Sequence, residues 1–214
     1  MTKLLLLIAT LLPLPLKLFV YRRIMGWQIS QNVSIGFSYI DANEVSIGEN
    51  VRIGHFNIIR CVKQLQIGKN SHIANFNQMF GRRDNPRWLS QLIIGKNVQF
   101  MSHHFVDAGG VVTIGDYTTI GGRETQIWSH SLIYKTGEPV LGPLSVNIGK
   151  EVYIGARTTL VGCQIPNQAA VGAGSVITKD FSQETGRILI AGNPGIVKKR
   201  YEVKAEAEPV PTGN

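Results

Sequence analysis

Single aliphatic residues followed by glycine recur along the chain at intervals that neither a helix nor a simple strand would produce. Ile-Gly pairs stand at Ile35-Gly36, Ile47-Gly48, Ile53-Gly54, Ile67-Gly68, Ile94-Gly95, Ile114-Gly115, Ile120-Gly121, Ile148-Gly149 and Ile154-Gly155. The steps from Ile47 to Ile53, Ile114 to Ile120 and Ile148 to Ile154 are each six residues, and Leu160 extends the last. After a slip of one, Ile165, Val171 and Ile177 carry the step onward, and Ile73 follows Ile67 with Ala74 in the glycine's place. An amphipathic helix repeats at about 3.6 residues and a half-buried strand at about 2, so a step of six needs another architecture. Short strands joined by tight turns supply it. The aliphatic side chain points inward, and glycine or alanine fits where the backbone turns. Stacked coils then pair strand on strand in parallel around one continuous core, with Ile and Val suited to the strands. Three hexapeptides make one triangular turn of a left-handed parallel β-helix, an all-β fold.

The lattice breaks twice. "NFNQMFGRRDNPRWLSQ" lies between Ile73 and Ile94, and "TQIWSHSLIYKTGEP" opens the gap between Ile127 and Ile148. Both read as loops leaving the coil, near 76–92 and 128–147, and loops on a rigid scaffold are where chemistry is usually placed. The coil then spans 29–192. Ahead of it, 1–28 is an apolar and basic segment: Leu4 to Leu16 is apolar but interrupted by Pro13 and Pro15, with Lys17, Arg22 and Arg23 following. It is short for a spanning helix. Either it forms a helix covering one end of the coil, or residues 1–23 anchor the chain peripherally on the inner face of a membrane. Both readings keep the chain cytoplasmic. Residues 193–214 form the C-terminal end, and the charged, Pro-containing tail after Tyr201 is expected to fray.

With 214 residues, 43% of them hydrophobic, the chain makes one domain with a real core. The net charge of +8 suits anionic partners but does not choose among nucleic acid, anionic lipid and a phosphorylated cofactor. Cys61 and Cys163 lie far apart in apolar surroundings and read as free thiols in a reducing compartment.

The stretches "VVTIGDYTTIGGRETQIWSHS", "VNIGKEVYIGARTTLVGCQIPNQAAVGAGSVITKDF" and "IAGNPGIVKK" give the chain a family likeness. From Ile29 to Arg200 it resembles the hexapeptide-repeat acyltransferases, and within them the sugar O-acetyltransferases, including those that decorate surface polysaccharides. The resemblance implies acetyl-CoA as donor, a sugar hydroxyl as acceptor, no metal and no nucleic acid. It also implies a homotrimer with active sites between neighbouring prisms, and a short C-terminal helix after "IAGNPGIVKK". His130 falls where the family's general base begins an extended loop, and imidazole has a suitable pKa for that task. Ser131, next to it, departs from the galactoside and maltose enzymes and leaves the acceptor open.

Other candidates follow from the same likeness. Glu138 in "TGEP" either orients His130 or binds the acceptor. "MSHHFVDAGG" matches a segment that binds acceptor in the family; because alternate strand residues face opposite sides, one histidine, taken as His104, joins Asp107 at the acceptor pocket. Gly155, Ala156 and Ala173 stand at coil corners where small residues would admit the pantetheine arm, although turn geometry alone also accounts for them. Lys179, Lys198 and Lys199 suit the phosphates of coenzyme A, or form a cationic solvated face. Two other classes share the fold: a non-catalytic trimeric scaffold, and γ-type carbonic anhydrases. The latter need histidines five apart, which His104 and His130 are not.

Overall fold

The computed structural model describes residues 2–134 and 138–202. Three ladders of parallel strands wind round a common interior. The first stacks Ile29, Ile47, Ile67, Ile94, Ile114, Ile148 and Ile165 in register. The second stacks Ile35, Ile53, Ile73, Phe100, Ile120, Ile154, Val171 and Ile190. The third stacks Ile40, Ile59, Met79, Val106, Ile127, Leu160 and Ile177. All of these are buried except Ile29, which is half-buried. This is the mostly parallel β-architecture that the step of six demands. Each fully buried aliphatic side chain contributes about 1.5–3 kcal/mol.

The corners are held by polar side chains. At one, Asn50, Asn70 and Asn97 all take positive φ, a conformation asparagine tolerates better than most residues. Their amides stack: Asn50 Nδ2 donates to Asn70 Oδ1 at 3.0 Å, and Asn70 Nδ2 to Asn97 Oδ1 at 3.2 Å. At an inner corner a second ladder satisfies buried backbone N–H groups, each side chain accepting from the next coil. Ser38 Oγ accepts from Asn57 N, Asn57 Oδ1 from Asn77 N, Asn77 Oδ1 from His104 N, and His104 Nδ1 from Thr125 N, at 2.9–3.0 Å. Left unmade, each such bond would strand a buried donor.

Helix α1 (Thr2–Leu11) and helix α2 (Leu14–Phe19) lie across the first coil, followed by a π-helical turn over Val20–Ile24. Leu6, Ala9, Val20 and Tyr21 enter the core. Lys17 is buried there, and its Nζ donates to the carbonyls of Ile35 (3.2 Å) and Gly36 (2.6 Å), groups that no earlier coil could satisfy. Burial lowers its pKa. No helix among the described residues is long and apolar enough to cross a membrane.

Two segments leave the coil. Residues 81–90 are fastened back by Arg83, which pairs with Asp41 at 2.9 Å and donates to the carbonyls of Asp41 and Val62. The other is an antiparallel hairpin in which His130–Ile133 pairs with Val140–Pro143 and His130 lies opposite Pro143. The C-terminal helix implied by the resemblance is absent from the described residues. Instead, Ile196–Tyr201 turns back as an antiparallel strand on Arg187–Ala191. That addition covers the edge of the last strand of the second ladder, which would otherwise expose unpaired backbone groups. Residues 203–214 lie outside the described residues.

Candidate active site

The strand Phe105–Asp107 pairs in register with Gln126–Trp128, so Asp107 lies beside Trp128 and close to the hairpin that begins at His130. The Asp107 side chain is 12% exposed and that of His130 is 24% exposed. His130 Nδ1 lies 2.8 Å from Asp107 Oδ1. The carboxylate sits off the ring N–H direction, so Nδ1 is buried with a close charge partner but without an aligned hydrogen bond. The ring's exposure therefore belongs to its other atoms.

Backbone and hydroxyl groups fix the carboxylate. Asp107 Oδ1 accepts from Gly109 N at 3.2 Å. The buried Ser129 hydroxyl lies 2.7 Å from the Asp107 carbonyl and 3.2 Å from Oδ1, and accepts from Gly110 N at 2.8 Å. Gly110 is required here because a Cβ would collide with the Leu144 carbonyl. The hairpin leaves and rejoins the coil through Leu144 N, which donates to Ser129 O at 2.8 Å.

Aromatic rings wall the imidazole. Trp88, from the 81–90 segment, and Trp128 both meet His130 edge-on, with centroids 6.0 and 5.9 Å away. Arg82 lies over the Trp88 ring at 4.4 Å while pairing with Asp84 at 2.9 Å. Phe105 packs on Trp128 at 4.8 Å. Arg87 donates to the Leu141 carbonyl at 3.2 Å and so ties the two excursions together.

The remaining candidates sort as follows. His104 does not line a pocket: it is 2% exposed, its Nδ1 serves Thr125 N, and its ring meets Phe100 edge-on in the interior. Burial lowers its pKa to about 4, so the ring is neutral. Counting alternation along a strand failed here because the chain bends at this point. His103 takes a positive φ of 62° and stacks on Phe76 at the outer corner. Asp107, expected at the acceptor, is instead the partner of His130. Glu138 is exposed in a bend before Val140, and the carboxylate that meets His130 is Asp107 rather than Glu138.

At the proposed coenzyme end, small residues are explained by coil stacking. A Cβ on Gly155 would come within 2.6 Å of Ala173 N, and the Ala156 methyl packs where Gly122 leaves room. Lys179, Lys198 and Lys199 are exposed, and Lys199 lies 4.7 Å over the Tyr201 ring. Cys163 is buried and its thiol is pushed up to about 12 by that burial; Cys61 is half-buried, and both are free. Among the described residues no three of His, Cys, Asp and Glu gather closely enough to hold a metal ion. Surface depressions beside Trp27 and Gln64, and beside Pro166 and Thr185, hold no histidine or basic side chain.

Trp88 was not identifiable from the pattern, because only the fold of the 81–90 segment brings it to His130. Ser129 carries a weak signal, being a small hydroxyl at the end of a coil strand and next to the candidate base.

Residues 145–179 match the family model described as the hexapeptide repeat of succinyl-transferase. Among solved structures, the chain is similar to the polysialic acid O-acetyltransferase OatWY, with 21% identity over 85% of this chain and 89% of that chain and a TM-score of 0.53. It is also similar to a hexapeptide-repeat-containing acetyltransferase from Vibrio cholerae O1 biovar eltor, solved with acetyl coenzyme A, with 17% identity over 93% of this chain and 84% of that chain and a TM-score of 0.48. A third is AntD, an N-acyltransferase from Bacillus cereus in complex with dTDP and coenzyme A, with 20% identity over 81% of this chain and 80% of that chain and a TM-score of 0.43. Residues 145–179 thus carry the hexapeptide repeat, and the chain shares its fold with OatWY.

Proposed function

We propose that this protein transfers an acyl group, most simply acetyl, from a coenzyme A thioester to a sugar hydroxyl. The observation that carries the reading is the pair of His130 and Asp107: a buried, hydrogen-bonded carboxylate 2.8 Å from Nδ1 of a partly open imidazole. The negative charge this close to Nδ1 favours a proton there even without an aligned hydrogen bond and leaves Nε2 free as a base. It also stabilises the imidazolium that forms when Nε2 takes a proton.

The steps follow. The acceptor hydroxyl oxygen bonds to the thioester carbonyl carbon while its proton passes to His130 Nε2. The carbonyl electrons move onto oxygen, which backbone N–H groups stabilise. Collapse of the tetrahedral species breaks the carbon–sulfur bond. The departing coenzyme A thiolate recovers the proton from Nε2. No covalent acyl-enzyme is needed, which agrees with the burial of Cys163. Asp107 acts through His130 and is a positioning residue.

Trp128, half-buried beside His130, supports a sugar acceptor, since an aromatic ring face packs against the apolar face of a saccharide, while buried Trp88 walls the imidazole from behind. The name of OatWY, a polysialic acid O-acetyltransferase, supports the same class, and a surface polysaccharide is the setting proposed. The donor runs along the corner of Gly155, Ala156 and Ala173 between prisms of a homotrimer, its phosphates meeting Lys179, Lys198 and Lys199. Purified protein given acetyl-CoA and a panel of sugars, nucleotide sugars and lipid-linked saccharides is expected to release free coenzyme A with one acceptor class. Absence of release with every acceptor, together with no acetyl-CoA binding by calorimetry, would leave a scaffold as the better reading.

A further inference from the structure

Helices α1 and α2 pack one face on the first coil and turn a second apolar face outward. The inward face is Leu6 and Ala9, followed by Lys17, Val20 and Tyr21. The outward face of α1 holds Leu4, Leu7, Ile8 and Leu11, at helical spacing, and Leu7 and Leu11 are 55% and 73% exposed. Leu14, Leu16, Phe19 and Ile24 continue the exposed apolar surface. A helix covering a soluble core would carry polar residues on that side, so a helix apolar all round has a second apolar neighbour. The surface does not stop at the helices. Leu11, Leu14, Phe37 and His55 share one depression, and Phe37 is itself exposed.

Charge identifies the occupant. No acidic residue precedes Asp41, whereas Lys3, Lys17, Arg22 and Arg23 all lie in this segment. Lys17 is committed to the interior and Arg22 to the carbonyls of Ile29 and Ser30. Lys3 and Arg23 are exposed and adjoin the exposed Leu4 and Ile24 in sequence. A second copy seated on this surface would bring like charges together. Anionic headgroups over an apolar interior match both features.

We propose that α1 and α2 dock this protein on an anionic phospholipid surface, lying in the interface with Leu4, Leu7, Ile8 and Leu11 inserted and Lys3 and Arg23 at headgroup level. The site is separate from His130 and does not rest on the proposed reaction.

Flotation of the full chain with phosphatidylcholine vesicles, with and without phosphatidylglycerol, tests it. The protein is expected to float with the anionic vesicles. Leu7→Ser/Leu11→Ser, at exposed positions that leave the core intact, is expected to reduce flotation about tenfold or more. Lys3→Ala/Arg23→Ala is expected to weaken binding to anionic vesicles about tenfold while leaving the weak binding to neutral ones unchanged. Melting curves equal to wild type verify folding of both variants. No flotation with either vesicle, flotation undiminished in the leucine variant, or a drop in solution mass in that variant without any lipid binding would overturn the proposal, the last by assigning the face to another copy of the chain.

Discussion

At His104 the imidazole is enclosed. Its Nδ1 accepts the Thr125 N–H, and burial holds its pKa at about 4, against about 6.5 for a free histidine side chain. Between those values the unfolded chain binds a proton that the folded chain refuses, so stability falls as pH drops through that window. The span corresponds to a loss on the order of 3 kcal/mol by pH 4. Urea midpoints at pH 7 and pH 4.5 are expected to differ less in His104→Asn, because Asn77 and Asn57 already fill the same role one and two coils earlier. His104→Leu is expected to cost about 1–3 kcal/mol at pH 7 by stranding the Thr125 N–H. At His130 the same ring is partly open and faces a carboxylate. Asp107→Asn is expected to lower kcat by about 10²–10⁴-fold with KM for acetyl-CoA unchanged, since the amide can still accept from Gly109 N but no longer supports an imidazolium. A proportional loss of folded protein would instead mark Asp107 as structural.

Among the elements, the ladders respond most predictably. Ile114 pairs with Ile94 on one side and Ile148 on the other and is 1% exposed. Ile114→Ala is expected to destabilise the fold by about 2–5 kcal/mol, read as a shift in the denaturation midpoint. The first two ladders were legible in the sequence because glycine follows most of their aliphatic residues. The third was harder to read. Ile40, Ile59 and Met79 have no glycine after them, and they fall between hexapeptides whose turns carry an extra residue, such as Cys61 at a φ of 59°. The placement of His130 at the start of a segment leaving the coil was also readable, because the step of six fails there. The roles around it were not. Asp107 reaches His130 through strand pairing between coils, Trp88 through a segment folded back by Arg83, and His104 turns inward at a corner that strand alternation does not foresee. Each depends on contacts remote in sequence. The C-terminal strand differs from the helix that the resemblance implies after "IAGNPGIVKK", because the β-branched Ile196 and Val197 suit an edge strand.

For the whole molecule, one coil carries two separated surfaces: apolar and basic at α1 and α2, polar and aromatic where the two excursions meet over Asp107. If the proposed donor site lies between prisms, activity requires association. Sedimentation equilibrium is expected to give three times the chain mass of 23.6 kDa, with specific activity falling on dilution below the trimer's dissociation range. In the proposed reaction His130 accepts the acceptor's proton. Its most direct test is steady-state coenzyme A release by wild type and His130→Ala, alongside calorimetric binding of acetyl-CoA to each. A fall in kcat of at least about 10²-fold is expected, with acetyl-CoA affinity and the melting temperature unchanged. Equal turnover in the variant would contradict it and return His130 to the status of a loop histidine.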